Sequence, residues 1–276
     1  MGRFTGQVGV VTGAGRGIGR AIAEGLAGEG MKVAVASRTA AQVEETAAAI
    51  EAAGGTVLAV PTDVTDQASV GKMVEQVLED FGRIDLLLND AGSFNAIGPV
   101  WEVDPQEWWG DVTTNLFGSF LCARAVLPHM IERGSGKIVN MSGGGSILPF
   151  EFGSGYASSK AAILRLTDTL AIEAAPYGVD VYAMGPGLVL TEMTKFQLES
   201  AAGKKWFTRA AQWFEEGVDR PPTEAARVAI WLAGLPPGKL SGRIFDVRHN
   251  LDWVDANAEQ IVEQDLHTLR LRGEVD

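Results

Sequence analysis

Short apolar runs alternate with longer amphipathic or alanine-rich stretches along most of this chain. Seven runs have strand character: "QVGVVTG", "KVAVAS", "TVLAVPTDV", "IDLLLNDAG", "GKIVNMS", "GVDVYAMGPG" and "GRIFDV". Helical patterns separate these runs, over 18–29, 66–80, roughly 110–131, 156–175 and 223–234. A further helix is predicted in "AAQVEETAAAIEAAGG", where the paired glycines end it. Apolar strands separated by helices usually form a parallel sheet covered on both faces, so the pattern predicts an α/β fold.

Length and charge narrow this picture. A chain of 276 residues without a convincing linker before residue 250 predicts one domain over 1–250 and a C-terminal extension over 251–276. The formal charge of −12 argues against a nucleic-acid partner, and no apolar run is long enough to predict a membrane span. The single cysteine, Cys122, excludes an intrachain disulfide, and no Cys/His pattern suggests a metal. We therefore expect a cytoplasmic protein.

The first chemical motif is "TGAGRGIG", which follows the first predicted strand. Gly13, Gly17 and Gly19 stand where that strand turns into a helix. Such a turn needs positive φ angles or close backbone approach, and the free N–H groups of the helix then face an anion. In an alternating α/β chain this position favours a dinucleotide diphosphate over a simple tight turn.

Further motifs follow in a fixed order: "NDAG" at 89–92, an asparagine at 115, YxxxK at 156–160 and "PGLVLT" at 186–191. Together with the glycine loop they resemble the short-chain dehydrogenase/reductase family over roughly residues 5–248. The resemblance implies a Rossmann-type, doubly wound parallel sheet of about seven strands and a nicotinamide cofactor. It also implies hydride exchange between a secondary alcohol and a ketone. The chain departs from the family at Asp90, at Gly143 and in its C-terminus.

The end of the second strand bears on the choice of cofactor. An NAD site usually places a carboxylate there to bind the ribose hydroxyls. This chain has Ser37 and Arg38, with Arg16 in the glycine loop. Two guanidinium groups can hold a 2′-phosphate through charge-assisted bonds, whereas a carboxylate would repel it. The sequence predicts NADP(H), with NAD(H) as the less favoured alternative.

The resemblance also implies which further residues bind the cofactor. Asp63 would contact the adenine edge, and Asn89, Ala91 and Gly92 would line the adenosine ribose. Thr191 and the backbone of Val189 would hold the carboxamide. The remaining predicted contacts are Ile18, Val64, Tyr156, Lys160, Pro186 and Gly187.

Tyr156 and Lys160 lie one helical turn apart and would share a face. Lowering a tyrosine pKa from about 10 to about 7 requires roughly 4 kcal/mol. One cation about 4 Å away, at an effective dielectric near 20, supplies roughly that energy. We therefore predict Tyr156 as the general acid/base, with Lys160 tuning it and anchoring the ribose. By resemblance, Asn115 interrupts a long helix and holds a water in the proton relay; the alternative is structural hydrogen bonding.

The family's serine stands thirteen residues before the tyrosine, where this chain has Gly143. Ser142 and Ser146 are the nearest hydroxyls. Neighbouring strand positions face opposite sides, but three consecutive glycines can let the backbone rotate. The sequence favours Ser142 as the replacement donor, with Ser146 as the alternative.

A lid over 191–218 contains Trp206, Phe207, Trp213 and Phe214. Their seven-residue spacing predicts one helical stripe, which either packs the lid to the body or contacts an apolar or ring-bearing substrate. Residues 255–266 are predicted to form a short helix that covers the substrate mouth or a neighbouring subunit. The family commonly forms tetramers, so we expect a homo-oligomer, a tetramer or a dimer. A sensor or structural subunit without turnover is the alternative to an enzyme, because the serine is missing.

Overall fold

Seven parallel strands form one sheet in a computed structural model that describes residues 2–270. Its order is β3-β2-β1-β4-β5-β6-β7. The strands are β1 (Val8–Thr12), β2 (Lys32–Ser37), β3 (Val57–Pro61), β4 (Leu86–Asn89), β5 (Gly136–Met141), β6 (Val179–Gly185) and β7 (Ile244–Asp246). All five residues of β1 are buried, as a central strand covered on both faces requires. The predicted doubly wound, Rossmann-type fold is confirmed.

The helices cover both faces of this sheet. They are α1 (Gly17–Gly28), α2 (Ala40–Ala52), α3 (Gln67–Phe81), α4 (Pro105–Val112), α5 (Gly118–Arg133), α6 (Ser154–Ala174), α7 (Glu192–Glu199), α8 (Ala201–Trp206), α9 (Thr208–Glu215), α10 (Pro222–Ala233), α11 (Leu251–Ala256) and α12 (Ala258–Glu263). Apolar side chains of α1, α2 and α10 pack on one face, and those of α3, α5 and α6 pack on the other. No helix among the residues described is long and apolar enough to cross a membrane.

The chain reverses its winding direction between β1 and β4. From β1 it proceeds outward to β2 and β3, and it then returns to β4 on the opposite side of β1. Helices on the two sides diverge at this point, which leaves a crevice beyond the carboxyl ends of the strands. The loops that follow Thr12, Asn89 and Met141 therefore open toward the same edge of the sheet.

The helix predicted over 110–131 is interrupted. A π-helical turn, Thr113–Phe117, separates α4 from α5. Directly after it, a β-carbon on Gly118 would stand 2.8 Å from Val64 Cγ2, so the start of α5 lies unusually close to a loop of the crevice. Such a turn shifts the helical register and redirects a side chain. The redirected side chain here is Asn115, which is almost completely buried.

The lid and the tail differ from their predicted forms. Three short helices, α7, α8 and α9, make up the lid, so the predicted single aromatic stripe is wrong: Trp206 ends α8, and Trp213 lies in α9. The tail forms α11 and α12 rather than one helix. Leu251 and Ile261 are buried in the chain's own core, and the Ile244 N–H donates to the His267 carbonyl at 2.9 Å. The tail thus covers the free edge of β7.

Candidate active site

A cleft of about 520 Å³ lies at the carboxyl edge of the sheet, beside the glycine loop. Gly13 and Gly17 have φ angles of +71° and +58°, a region that favours glycine. A β-carbon on Gly19 would stand 2.6 Å from the Gly13 carbonyl oxygen. The loop can keep its shape only with glycine at these positions, and that shape leaves the beginning of α1 open to an anion.

The end of β2 is also suited to a polar ligand. The Ser37 hydroxyl is buried without a hydrogen-bond partner among the residues described, and a β-carbon on Gly15 would approach it to 2.6 Å. Arg16 and Arg38 line the same part of the cleft. A buried hydroxyl without a partner is costly unless a ligand satisfies it. These residues therefore fit a nucleotide with its phosphates.

Most of the predicted cofactor residues meet in this cleft. Its lining includes Gly13, Arg16, Gly17, Ile18, Ser37, Arg38, Asp63, Val64, Ala91, Gly92 and Thr191. The other predicted contacts lie outside the lining: Gly19, Asn89, Tyr156, Lys160, Pro186, Gly187 and Val189. Asn89 is buried beneath it, where its side-chain N–H donates to Asn140 Oδ1 at 2.9 Å. Thr191 caps α7 by accepting a bond from the Thr194 N–H, and this cap places the lid beside the glycine loop.

Lys160 is buried on α6, one turn from Tyr156. Its ammonium donates to the Met141 carbonyl at 2.9 Å and lies 5.7 Å from the centre of the Tyr156 ring. Burial lowers the pKa of Lys160, and the nearby Asp90 carboxylate opposes this effect. Burial likewise raises the pKa of Asp90, opposed by Lys160. The two groups thus form a polar pair at the cleft, with Asp90 in its lining and Lys160 behind it, although no ion pair within 4 Å joins them in the part of the chain described.

The pKa of Tyr156 is raised well above its ordinary value. Burial is the main cause, and the carboxylates of Asp90 and Asp111 add to it because they disfavour a tyrosinate. The hydroxyl therefore carries its proton throughout the neutral range in the free protein. In this protonated state Tyr156 can donate a proton to a carbonyl oxygen.

Asn115 connects the π-helical turn to both sides of the site. Its side-chain N–H groups donate to the Ser93 carbonyl at 3.0 Å and to Ser159 Oγ at 2.9 Å, and its Oδ1 accepts from the Ser93 N–H at 2.8 Å. All three bonds fix the loop after β4 relative to the helix that carries Tyr156. This geometry is structural, and the predicted relay role stays a prediction.

The two candidate serines bond to each other. Ser142 Oγ donates to Ser146 Oγ at 3.1 Å, and both side chains are buried. Among the residues described, neither forms a hydrogen bond with Tyr156. The Tyr156 hydroxyl instead lies close to Gly143, because a β-carbon there would clash with Oη and stand 3.1 Å from Cζ. The choice between the serines stays a prediction.

One functional residue of the site, Asp111, is absent from the residues predicted from the sequence. Asp111 is fully buried in α4 and accepts bonds from the Ser93 hydroxyl and from the backbone N–H groups of Asn95 and Ala96. It thereby shapes the loop that carries Phe94 into the site. The one sequence signal for Asp111 is its position among apolar residues in "WWGDV", which predicts a buried carboxylate, and buried carboxylates are rare.

A glycine-lined cleft at the switch point, beside a buried lysine and a tyrosine one turn away, defines a dinucleotide-binding oxidoreductase. The family model described as short chain dehydrogenase matches residues 7–202. The chain is 38% identical, over 87% of its length and 92% of the relative's, to the short-chain reductase protein NovJ of Streptomyces niveus. The protein belongs to the short-chain dehydrogenase/reductase family.

Other relatives extend this similarity. The chain is 32% identical to 5-keto-D-gluconate 5-reductase of Escherichia coli K12, over 86% of this chain and 92% of that one. Among solved structures, levodione reductase has a TM-score of 0.79 at 32% identity, with 88% of this chain and 96% of that chain covered. A metagenomic short-chain oxidoreductase in complex with NADP has a TM-score of 0.70 at 29% identity, with coverages of 85% and 93%.

Proposed function

We propose that this protein exchanges a hydride between NADP(H) and a secondary alcohol or ketone, with Tyr156 as the general acid/base. The observation that carries the proposal is the buried Lys160 ammonium, held by the Met141 carbonyl one turn from Tyr156 and next to a glycine-lined cleft. A buried lysine is rare without a function or a partner, and among the residues described this one donates to a backbone carbonyl and has the Asp90 carboxylate nearby without a direct ion pair.

The cofactor, when bound, would supply or accept the hydride. Gly13, Gly17 and Gly19 would receive its diphosphate at the start of α1, because the first turn of a helix leaves backbone N–H groups available to an anion. Ser37, Arg16 and Arg38 would bind a 2′-phosphate: the buried serine hydroxyl lacks a partner among the residues described, and both guanidinium groups line the cleft. That set of donors, without a carboxylate, supports NADP(H) over NAD(H).

The other predicted cofactor contacts keep the roles that the resemblance implies. Asp63 and Val64 would hold the adenine. Asn89, Ala91 and Gly92 would border the ribose. The stretch with Pro186, Gly187, Val189 and Thr191 would fix the carboxamide end.

Tyr156 would protonate the carbonyl oxygen in reduction, because its raised pKa keeps the hydroxyl protonated. In the opposite direction it would accept the alcohol proton, and Lys160 would make that possible by stabilising the tyrosinate. Asn115 would hold both elements in place through its three bonds, in addition to any role in a proton relay. Ser142, or alternatively Ser146, would donate to the substrate oxygen.

One observation favours a second candidate, a nucleotide-binding member with little or no turnover. Gly143 stands at the serine position, and the two nearby serine hydroxyls are engaged with each other. Losing one oxyanion donor typically lowers kcat by about a hundredfold or more. Such a protein would bind the cofactor and act as a sensor or structural subunit.

A panel of ketones with NADPH and NADH, monitored by cofactor absorbance, distinguishes the two. Tyr156→Phe should abolish turnover with nearly unchanged NADPH affinity by calorimetry. Tyr177→Phe, on an exposed tyrosine, is the matched control and should change neither. NADPH binding without turnover of any ketone would favour the second candidate, and substantial activity in Tyr156→Phe would refute the assigned acid.

A further inference from the structure

Two phenylalanine rings pack against the ring of Tyr156, and a third, Phe207, packs against both of them. Phe94 stacks on it with centroids 4.6 Å apart and planes inclined by 12°. The centroid of Phe150 lies 6.3 Å from Tyr156, and that of Phe207 lies 5.7 Å from Phe94, edge to face. We name these three phenylalanines the aromatic box. It covers the ring of Tyr156 with aromatic carbon.

The glycine run after β5 makes room for the box. A β-carbon on Gly144 would stand 2.9 Å from Phe150 Cε2, and one on Gly145 would stand 2.8 Å from Phe150 Cβ. On the other side, a β-carbon on Gly153 would stand 2.6 Å from Phe94 Cζ and 2.9 Å from Phe150 Cδ1. Real β-carbons do not make contacts this short, so glycine at these positions is what lets Phe150 lie beside the catalytic tyrosine.

The backbone that presents the box is also strained. Phe152 has a φ of +61°, an uncommon angle for an aromatic residue, and its carbonyl accepts a bond from the Gly98 N–H at 2.8 Å. Strain of this kind persists only where the surroundings enforce it, and it concentrates at functional sites. The loop between β5 and α6 is thus built to hold these rings in place.

Besides Lys160, whose ammonium lies 5.7 Å from the centre of the Tyr156 ring, the cations described next to these rings lie on the outer aromatic layer. The Lys205 ammonium lies 4.3 Å from the Trp206 ring centre, and the Arg209 guanidinium lies 5.6 Å from that of Trp213. Phe207 separates Trp213 from Phe94, with centroids 6.5 and 5.7 Å away. The surface that faces Tyr156 from the box is therefore apolar and would not compensate the charge of an anionic substrate.

Building on the proposed function, we propose that the substrate is an uncharged, ring-bearing ketone whose ring packs between Phe150 and Phe207. The centroids of these two rings are 5.3 Å apart, and a ring placed between two others needs a separation of about 7 Å or more. Phe207 lies at the junction of α8 and α9, so the lid would move outward by a few ångströms as the substrate enters. Each aromatic contact would improve binding by about two- to tenfold beyond burial alone.

The test compares 1-tetralone with 2-decanone, an open-chain ketone of equal carbon number, and with 5-keto-D-gluconate, an anion. With NADPH, kcat/KM for 1-tetralone should exceed that for 2-decanone by about tenfold, and the anion should be the poorest substrate. Phe150→Leu and Phe207→Leu should each remove most of this ratio through KM. Phe117→Leu, on a half-exposed ring outside the box, is the control.

Leucine keeps the side chain apolar, so a purely structural role would reduce activity toward both neutral ketones equally. The inference would be overturned by any of three results. The leucine variants could lose activity equally toward both neutral ketones, or the unmodified protein could show no preference for 1-tetralone over 2-decanone. The third such result is a preference for 5-keto-D-gluconate. If no ketone is turned over, the proposed function fails separately. Calorimetry of 1-tetralone and 2-decanone on the NADPH-loaded protein then decides: tighter binding of 1-tetralone supports the box, and equal or absent binding rejects it.

Discussion

Restoring the family's serine at position 143 should damage the site rather than improve it. If neither Ser142 nor Ser146 were the donor, the sequence would lead one to expect Gly143→Ser to supply the missing hydroxyl and raise the rate. The structure contradicts that expectation, because the Tyr156 hydroxyl occupies the space that a side chain at 143 would need. A β-carbon there would clash with Oη and stand 3.1 Å from Cζ and 3.4 Å from Cε1.

The tyrosine cannot easily move away. Its ring is stacked on Phe94 at 4.6 Å, with Phe150 beyond, and carbon atoms normally approach one another to about 3.5–4.0 Å. Relief therefore needs a shift of several tenths of an ångström to about 1 Å in either the ring or the glycine run. Overpacking of this kind typically costs about 1–3 kcal/mol of stability, and displacing a catalytic group by about 1 Å can lower the rate by about a hundredfold.

A double-mutant cycle isolates this contact. Gly143→Ser should lower the free energy of unfolding by about 1–3 kcal/mol in the unmodified protein and by clearly less in a Tyr156→Phe background, where Oη is absent. Its kcat should fall by about a hundredfold with NADPH affinity nearly unchanged. Gly71→Ala, where a β-carbon meets nothing within 4 Å, is the control. Unchanged or higher kcat, or additive effects on stability, would refute the reasoning.

Three further predictions concern the cofactor preference, the serine that donates to the substrate oxygen, and the Asp90 carboxylate beside Lys160. Arg38→Asp should narrow or reverse the preference for NADPH over NADH in calorimetry, because a carboxylate repels the 2′-phosphate; equal affinities in the unmodified protein would contradict the assignment. Ser142→Ala should lower kcat by about a hundredfold and Ser146→Ala only slightly; exchanged phenotypes would identify Ser146 as the donor. Asp90→Asn removes the carboxylate that raises the pKa of Lys160. In this variant the pKa of Lys160 should therefore fall below about 8. Lys160 then loses its proton at a lower pH, and the alkaline limb of the pH profile of kcat/KM should shift to lower pH by about one unit. An alkaline limb at the same pH as in the unmodified protein would exclude this coupling.

The fold could be predicted because its signals are local. Apolar runs of strand length and helical periodicity are properties of neighbouring residues, so the seven strands and the sheet class follow from them. The π-helical turn at Thr113–Phe117 could not be predicted this way. It depends on the contact between Gly118 and Val64 and on the bonds that Asn115 makes to Ser93 and Ser159, all of which are distant in sequence.

The lid shows how a periodic pattern misleads. The seven-residue spacing of its aromatic residues suggests one helix, but Ser200 caps a new helix by accepting from the Gly203 N–H, and Phe207 ends it. Phe207 itself turns inward and is buried in the aromatic box. The sequence could indicate that these aromatic residues matter, whereas only the packing shows which one approaches Tyr156.

The site was predictable only in part, for the same reason. The glycine loop and the Tyr156–Lys160 pair depend on fixed short spacings. The raised pKa of Tyr156 depends instead on burial and on Asp90 and Asp111, which α4 and the loop after β4 bring close. A sequence argument that counts only the lysine therefore predicts a lowered tyrosine pKa, and the free protein has the opposite.

The glycine run connects these observations. If Gly143 were merely a lost serine, its neighbours would have no reason to be glycine as well. Yet a side chain at 143 would clash with the Tyr156 hydroxyl, and one at Gly144 or Gly145 would clash with Phe150. All three positions thus leave space for aromatic rings around the reacting group. We infer that Gly143 replaces the family's serine with space for Tyr156, and that its neighbours make room for Phe150, while Ser142 or Ser146 is left to donate to the substrate oxygen. The run is then a change of substrate environment rather than a mark of lost chemistry.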